Sequence, residues 1–186
     1  MTEPPVARPQ RTTRRPASLV VVNTGDGKGK TTAAMGTVLR ALDRGWRVSV
    51  VQFVKSGRWA SGEARLLSEL GAEWHVMGDG FTWDSADLAR SAELARAAWE
   101  LAREAIASGD FDLVLLDEVT YPVNWEWIEE TEVIEAVSDR PAKVNVILTG
   151  RDAPSGLVAI ADTVSEMRNV KHAFDAGLSA IRGIDF

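Results

Sequence analysis

Apolar and polar residues alternate along the chain in blocks that predict strands and helices in turn. Short runs of apolar and β-branched residues predict five strands. They lie at 19–22, 47–54, 72–78, 112–119 and 143–150. The last two runs are almost continuously apolar, which is typical of strands buried on both faces of a parallel sheet.

Helical patterns fill the stretches between these runs. A helix is predicted over 31–44, closed by Gly45, and a short helix over 63–70. The longest predicted helix begins at Asp84, a residue type that caps helices, and Gly109 follows its end. Strands that alternate with helices predict an α/β fold of three layers, with a mainly parallel sheet and crossover helices.

Composition narrows the class of protein. The chain has 186 residues, of which 45% are hydrophobic and 26% charged, as in an ordinary globular domain. It has no Cys, so thiolate metal sites and cysteine nucleophiles are excluded. No apolar run reaches the roughly 18 residues of a membrane span, and the N-terminus does not resemble a secretory signal peptide. We therefore expect a cytoplasmic protein that does not bind membranes.

Charge is distributed unevenly along the chain. The first 17 residues carry four arginines against one glutamate, whereas the whole chain has a net charge of −6. We expect a flexible basic tail over 1–17 and a single domain over 18–186. The acidic body argues against a general nucleic-acid binder.

A glycine-rich loop joins the first predicted strand to the first predicted helix. In this position, glycines let backbone N–H groups turn toward a phosphate, Lys30 can reach phosphate oxygens, and the Thr31 hydroxyl can bind Mg²⁺. A dinucleotide site would have a third glycine at the helix start instead of this Lys-Thr pair. The predicted nucleotide-binding residues are Thr24, Gly25, Asp26, Gly27, Lys28, Gly29, Lys30, Thr31 and Thr32.

Two acids end another predicted strand. A phosphate loop needs an acidic residue at the carboxyl end of a neighbouring strand to hold the metal, and both Asp117 and Glu118 meet that requirement. Adjacent strand residues point to opposite faces, so we expect the two acids to have different roles.

Together, these motifs identify a family. From residue 20 onward the chain resembles the P-loop corrinoid adenosyltransferases of the cob(I)alamin type, and Thr24 in place of a first glycine is that family's form of the loop. Asp26 stands where the family more often has Asn, and the segment 56–63 is one residue longer than usual. The matching motifs are TGDGKGKTTAA (24–34), VVQFVK (50–55), GFTWD (80–84), LLDEVTY (115–121), LTGR (148–151) and ADTVSEMRNVKHAFDAG (161–177).

The resemblance implies a P-loop NTPase-like (RecA-like) fold and an ATP:corrinoid adenosyltransferase activity. The 5′-deoxyadenosyl group of ATP would move to the Co(I) of a reduced corrinoid, and triphosphate would leave. Lys30, Thr31 and Glu118 are then the predicted catalytic residues, with Mg²⁺ or Mn²⁺ held by Thr31 and Glu118. Arg40 and Arg151 are predicted to contact the nucleotide, although Arg151 is also compatible with a surface ion pair.

The resemblance also assigns the corrinoid site. Phe81 and Trp83 would form an apolar wall that displaces an axial ligand of cobalt and so eases its reduction; core packing is the alternative role for both. Family members are homodimers that use a reduced electron donor, and we expect a flavoprotein donor. The basic tail is expected to order over a site when corrinoid binds.

Other readings stay open at this point. A P-loop kinase or ATPase would break the bond to the γ-phosphate, and a nucleotide-binding regulator would bind ATP without turnover. We expect His75 to be a hydrogen-bonded core residue and His172 to be structural. Trp125 and Trp127 are expected in packing or a subunit contact. Neither the preferred corrinoid nor a role in synthesis or salvage follows from the sequence.

Overall fold

A computed structural model describes residues 16–54, 61–78 and 88–185 of the chain. Its strands are β1 Val20–Thr24, β2 Val48–Gln52, β3 Glu73–Val76, β4 Leu113–Asp117, β5 Asn145–Thr149 and β6 Thr163–Glu166. They form one sheet in the order β3-β2-β4-β5-β1-β6, and every described pairing is parallel. The carboxyl ends of these strands therefore meet at one edge of the sheet.

Helices connect the strands. They are α1 Lys30–Asp43, α2 Gly62–Glu69, α3 Leu88–Ser108, α4 Thr120–Asn124, α5 Glu130–Ser138 and α6 Ser155–Ile160, with a short 3-10 turn at Phe174–Ala176. The predicted helix start at Asp84 lies outside the described residues, whereas Gly109 follows α3 with a φ of 68°, as a helix-ending glycine does. None of the described helices is long and apolar enough to cross a bilayer.

The sheet separates two apolar cores. On β4, Leu113 and Leu115 face the core that contains α1 and α2, whereas Val114 and Leu116 face the core that contains α3 and α5. This alternation follows from the two-residue period of a strand, and it explains why β4 is apolar at every position before its final Asp. The predicted three-layer α/β fold with a parallel sheet is confirmed.

Several elements were not predicted from the sequence. The strand β6 has the sequence TVSE, and all four of its residues are exposed. It lies at the edge of the sheet, where backbone hydrogen bonds to β1 hold it and no apolar face is needed. The helices α4, α5 and α6 are short, between five and nine residues, and so lack a long periodic signal.

The end of β5 requires a glycine. Gly150 has a φ of 147°, and a Cβ placed there would lie 1.9 Å from Thr120 Oγ1. We expect Gly150→Ala to lower the free energy of unfolding by about 2–4 kcal/mol, because overpacking adds to the cost of a positive φ. Chemical denaturation measures this change.

A matched control is Gly45→Ala. Gly45 has a φ of 72°, and no described atom lies within 4 Å of the Cβ position. Only the conformational cost of about 1–2 kcal/mol is then expected. Equal losses in the two variants would contradict the proposed clash at Gly150.

Candidate nucleotide-binding site

The phosphate loop lies at the carboxyl edge of the sheet, between β1 and α1. Gly29 precedes α1 with a φ of 116°, a conformation that L side chains rarely adopt. The N-cap residue Gly29 has no side chain that could cap this end of α1 by a hydrogen bond. Its N-terminal N–H groups and helix dipole therefore favour a bound anion.

Two loop glycines are required by close backbone contact. A Cβ on Gly25 would lie 2.4 Å from Met167 O, and a Cβ on Gly27 would lie 2.7 Å from backbone atoms of Arg168. The Gly27 N–H donates to Met167 O at 2.6 Å, and the Met167 N–H donates to Thr24 O at 2.8 Å. The segment after β6 thus shapes the loop, and the Gly27 N–H is used within the protein.

Lys30 lies inside the loop. Its Nζ donates to Gly25 O at 2.6 Å and to Gly27 O at 2.8 Å. Burial lowers the pKa of the Lys30 ammonium below its usual range, and Arg151 lowers it further. Three carboxylates, those of Asp26, Glu118 and Asp152, oppose this shift. A phosphate that replaced the two carbonyls would stabilise the charged form of the lysine.

Asp117 is fully buried at the end of β4 and contacts the phosphate loop. Its Oδ1 accepts from Thr31 Oγ1 at 2.9 Å and from Thr149 Oγ1 at 2.7 Å. Its Oδ2 accepts from Gln52 Nε2 at 2.8 Å. Strand alternation places Asp117 on the face of Leu113 and Leu115, toward α1. Of the two predicted acids, Asp117 is the one that the described hydrogen bonds connect to Thr31.

Glu118 turns the chain away from the strand. It has a φ of 66°, which is uncommon for a residue other than glycine, and its N–H donates to Thr149 Oγ1 at 2.9 Å. Thr149 therefore links the two acids, because its hydroxyl accepts from the Glu118 N–H and donates to the Asp117 carboxylate. Glu118 lies close enough to Lys30 to raise its pKa, so both acids border the loop.

The loop after β5 is tied to the phosphate loop. The Ala153 N–H donates to Thr24 Oγ1 at 3.1 Å, and Thr120 Oγ1 donates to Arg151 O at 2.6 Å. The Arg151 guanidinium lies 3.8 Å from a carboxylate oxygen of Asp26, and both side chains are more than half exposed. Arg151 is thus beside the loop and free to rearrange, since an exposed ion pair contributes little stability.

Three predicted residues, two in the phosphate loop and one farther along α1, have no described hydrogen bond to Asp117, Lys30 or Arg151. Lys28 pairs with Asp185 at 2.7 Å, and the Ile181 N–H together with Lys28 lowers the pKa of that aspartate. Thr32 is exposed in the first turn of α1. Arg40 is in the last turn of α1, about 15 Å along the helix axis from Lys30. The structure does not bring Arg40 to the phosphate loop.

The predicted corrinoid residues Phe81 and Trp83 lie outside the described residues, as do 1–15 of the predicted tail. His75 is hydrogen-bonded to Glu73 at 3.2 Å, but it is partly exposed on the edge strand β3 and not in the core as expected. The reason is that, among the described strands, β3 pairs with β2 alone and so lies at the edge of the sheet.

The other predicted structural residues make local contacts. His172 Nδ1 accepts from the Phe174 N–H at 3.1 Å, within the C-terminal segment. Trp125 packs between Tyr121 and Trp127, with ring centroids 5.5 and 4.8 Å away. These contacts agree with packing, one of the two roles that the sequence predicted for both tryptophans.

Sequence reasoning did not identify Thr149, Gln52 and Thr120 as site residues. Gln52 and Thr149 were each the polar end of an apolar strand, which is the one signal that could have found them. A polar residue at the carboxyl end of a buried parallel strand is placed at the edge where ligands bind.

Comparison with known proteins identifies the family. The family model described as ATP:corrinoid adenosyltransferase BtuR/CobO/CobP matches residues 17–186. The corrinoid adenosyltransferase of Escherichia coli K12 is 47% identical over 168 residues, which are 90% of this chain and 85% of that protein. Corrinoid adenosyltransferase CobA of Salmonella typhimurium is 46% identical with the same coverage, and the Pseudomonas aeruginosa enzyme is 42% identical over 90% of this chain and 83% of its own length. This chain therefore belongs to the ATP:corrinoid adenosyltransferase family.

Proposed function

We propose that this protein transfers the 5′-deoxyadenosyl group of ATP to the Co(I) of a reduced corrinoid. The observation that carries this proposal is the hydrogen bond from Thr31 of the phosphate loop to the buried Asp117, in a chain that belongs to this family. The pair joins a phosphate-binding loop to a strand-end acid, as a nucleoside triphosphate site requires.

In this reaction, an electron pair of Co(I) attacks C5′ of ATP. The cobalt–carbon bond forms as the bond from C5′ to its phosphate oxygen breaks, and triphosphate leaves with the bonding electrons. The nucleophile arrives with the substrate, so no Ser or His nucleophile and no general base is needed. The protein contributes position and charge, which are large terms when it does no covalent chemistry.

Two cations of the described site face the leaving group in this proposal. Lys30 would exchange its two carbonyl partners for phosphate oxygens, and Arg151 would leave Asp26 to add a bidentate contact. Both exchanges replace short-range protein contacts by contacts to a polyanion. The charge that develops on triphosphate would thus be stabilised where it forms.

The residues present also fit a divalent cation. Thr31 Oγ1 donates its proton to Asp117, so its lone pairs are directed elsewhere, and hydroxyl and carboxylate oxygens suit Mg²⁺ or Mn²⁺. The described residues contain no group of three or more His, Cys, Asp or Glu side chains that could hold a metal, and a cation that arrives on ATP needs only one or two carboxylates. Bound there, the metal would neutralise phosphate charge. Thr31 would hold it, with Glu118 as the second candidate ligand and Asp117 orienting the hydroxyl.

The remaining assignments rest on the family resemblance. We propose Phe81 and Trp83 as the apolar wall of the corrinoid site, a flavoprotein as the electron donor, and Gly25 and Gly29 as glycines of the nucleotide loop. A cytoplasmic location stays a prediction.

We further propose a homodimer, in which a second copy covers the C-terminal segment. Apolar side chains there are exposed, among them Val170 at 88%, Phe174 at 77% and Ile184 at 75%. Several large exposed apolar side chains in one segment favour an interaction surface there. Because the same segment carries Asp185, the partner of Lys28, the interface would lie beside the phosphate loop.

The first prediction concerns the product and Lys30. With MgATP and chemically reduced cob(I)alamin under anaerobic conditions, we expect adenosylcobalamin and triphosphate in equal amounts. Lys30→Ala should lower kcat by about 10²–10³-fold, because the leaving group loses a preorganised cation. Absorbance follows the cobalt product and chromatography follows triphosphate.

The control is Lys143→Ala, which removes an exposed lysine paired with Asp112 at the opposite edge of the sheet. Its rate should match the wild type. Formation of ADP and phosphate with no change at cobalt would instead establish a kinase or ATPase. Tight ATP binding without either product would indicate a regulator.

The second prediction follows from the lowered pKa of Lys30. The lysine is charged below its pKa and neutral above it, so ATP affinity should be full below this lowered pKa and fall as the pH rises through it. Calorimetry at increasing alkaline pH should show a loss of about tenfold, equivalent to one charge-assisted hydrogen bond. Lys30→Arg keeps its charge, so a similar loss in that variant would contradict this explanation.

The third prediction tests the interface. Phe174→Ser combined with Ile184→Ser should raise the dimer dissociation constant at least about 100-fold, because two large side chains would no longer be buried. Sedimentation velocity measures the change. Leu39→Ser, at an exposed position on α1, serves as the control. A purely monomeric wild type, or a double variant that remains dimeric, would reject this interface.

A further inference from the structure

A chain of three hydrogen bonds, the central one buried and the other two partly buried, runs from β3 to the phosphate loop. Trp74 Nε1 donates to Gln52 Oε1 at 3.2 Å, and Gln52 Nε2 donates to Asp117 Oδ2 at 2.8 Å. Asp117 Oδ1 then accepts from Thr31 Oγ1 at 2.9 Å. The residues come from β3, β2, β4 and α1, so the chain crosses three neighbouring strands before it reaches the loop.

The direction of each bond follows from the chemistry of the groups. An indole N–H can only donate, so the end of the Gln52 amide that faces Trp74 must be its oxygen. The amide nitrogen then faces Asp117, which must accept at Oδ2. The Asp117 carboxylate, which can only accept, and the Trp74 N–H, which can only donate, therefore require the same orientation of the Gln52 amide. Held in this way, Gln52 supplies a donor to Asp117 Oδ2.

Burial makes this orientation hard to replace. Gln52 is 4% exposed and Asp117 is fully buried, so bulk water does not reach the bond between them. The two residues are also direct partners in the β2–β4 register, which keeps their side chains on the same face of the sheet. Without the amide, Oδ2 would lose a donor, and the carboxylate would gain by rotating toward another one.

Rotation of Asp117 would change Thr31. A hydroxyl has one proton, and while Thr31 donates it to Oδ1, its lone pairs are left to face the loop. If the carboxylate turned, Thr31 would no longer be fixed with its lone pairs toward the phosphates. The orientation of a predicted metal ligand thus depends on a residue one strand away from Asp117.

We propose that Gln52 is a positioning residue for the metal–nucleotide complex and that Trp74 helps to hold Gln52 in its orientation. This assignment depends on the proposed function in one respect: the ligand is a divalent cation bound together with ATP. Gln52 contacts neither the phosphate loop nor Thr31 by any described hydrogen bond, and acts through Asp117.

The test measures metal binding and not turnover. Mn²⁺ is titrated into the protein with saturating ATP and no corrinoid, and free Mn²⁺ is followed by electron paramagnetic resonance. Gln52→Leu should weaken Mn²⁺ binding about tenfold, whereas its ATP affinity in EDTA stays within twofold of the wild type. Trp74→Phe keeps the ring but removes the N–H, and a smaller loss in the same direction is expected.

Ser49→Ala is the matched control. Ser49 lies on the same strand as Gln52 and is fully buried, and its Oγ has no hydrogen bond among the described residues. Removal of this hydroxyl should leave Mn²⁺ affinity unchanged. Equal losses in Ser49→Ala and Gln52→Leu would indicate a general effect of altering β2 and would overturn the proposal.

Thermal unfolding by circular dichroism verifies that each variant is folded. If Gln52→Leu does not fold, Gln52→Met replaces it, since this side chain of similar length offers Asp117 no N–H or O–H donor and should weaken Mn²⁺ binding to a similar extent. A folded variant of either kind with Mn²⁺ affinity within twofold of the wild type would overturn the proposal. A wild type that binds Mn²⁺ with ATP but forms no adenosylcobalamin would reject the proposed function and leave this assignment standing.

Discussion

The carboxylate of Asp117 is the group around which the candidate site is built. A buried charge is costly unless hydrogen bonds replace its water, and Asp117 receives them from Gln52, Thr31 and Thr149. These donors belong to β2, α1 and β5, so the requirement of one side chain ties four elements together. It also fixes the hydroxyl of Thr31, the proposed metal ligand, through one of these bonds. Stability and the proposed chemistry depend here on the same bonds.

The backbone that follows the edge strand β6 also shapes the phosphate loop. The strand β6 is short, polar and exposed, yet the backbone after it lies so close to the loop that residues 25 and 27 must be glycines. In this protein, the glycines serve packing against the backbone as well as any approach of phosphate. An edge strand that adds little to the apolar core therefore controls the geometry of the loop.

The two cationic side chains of the described site contact protein oxygens that a bound phosphate could replace. Lys30 donates to two loop carbonyls, and Arg151 faces Asp26 across an exposed 3.8 Å gap. An exposed ion pair contributes little stability, so Arg151 can leave it at small cost when a polyanion binds. The partly buried lysine is different, because burial and Arg151 lower its pKa although three carboxylates raise it. A triphosphate would add negative charge beside this ammonium and so favour its charged form.

The sequence by itself determined the elements whose signals are local. The apolar runs and helical periods predicted β1 to β5 and α1 to α3, and the loop at 24–32 was recognisable because its residues are contiguous. It could not predict β6, whose four residues carry no apolar pattern, or the pairing of Asp117 with Thr31, Gln52 and Thr149. Those partners are 86, 65 and 32 residues away from it in the chain. Only the tertiary structure decided these contacts, because strand order and register bring together side chains that no local pattern connects.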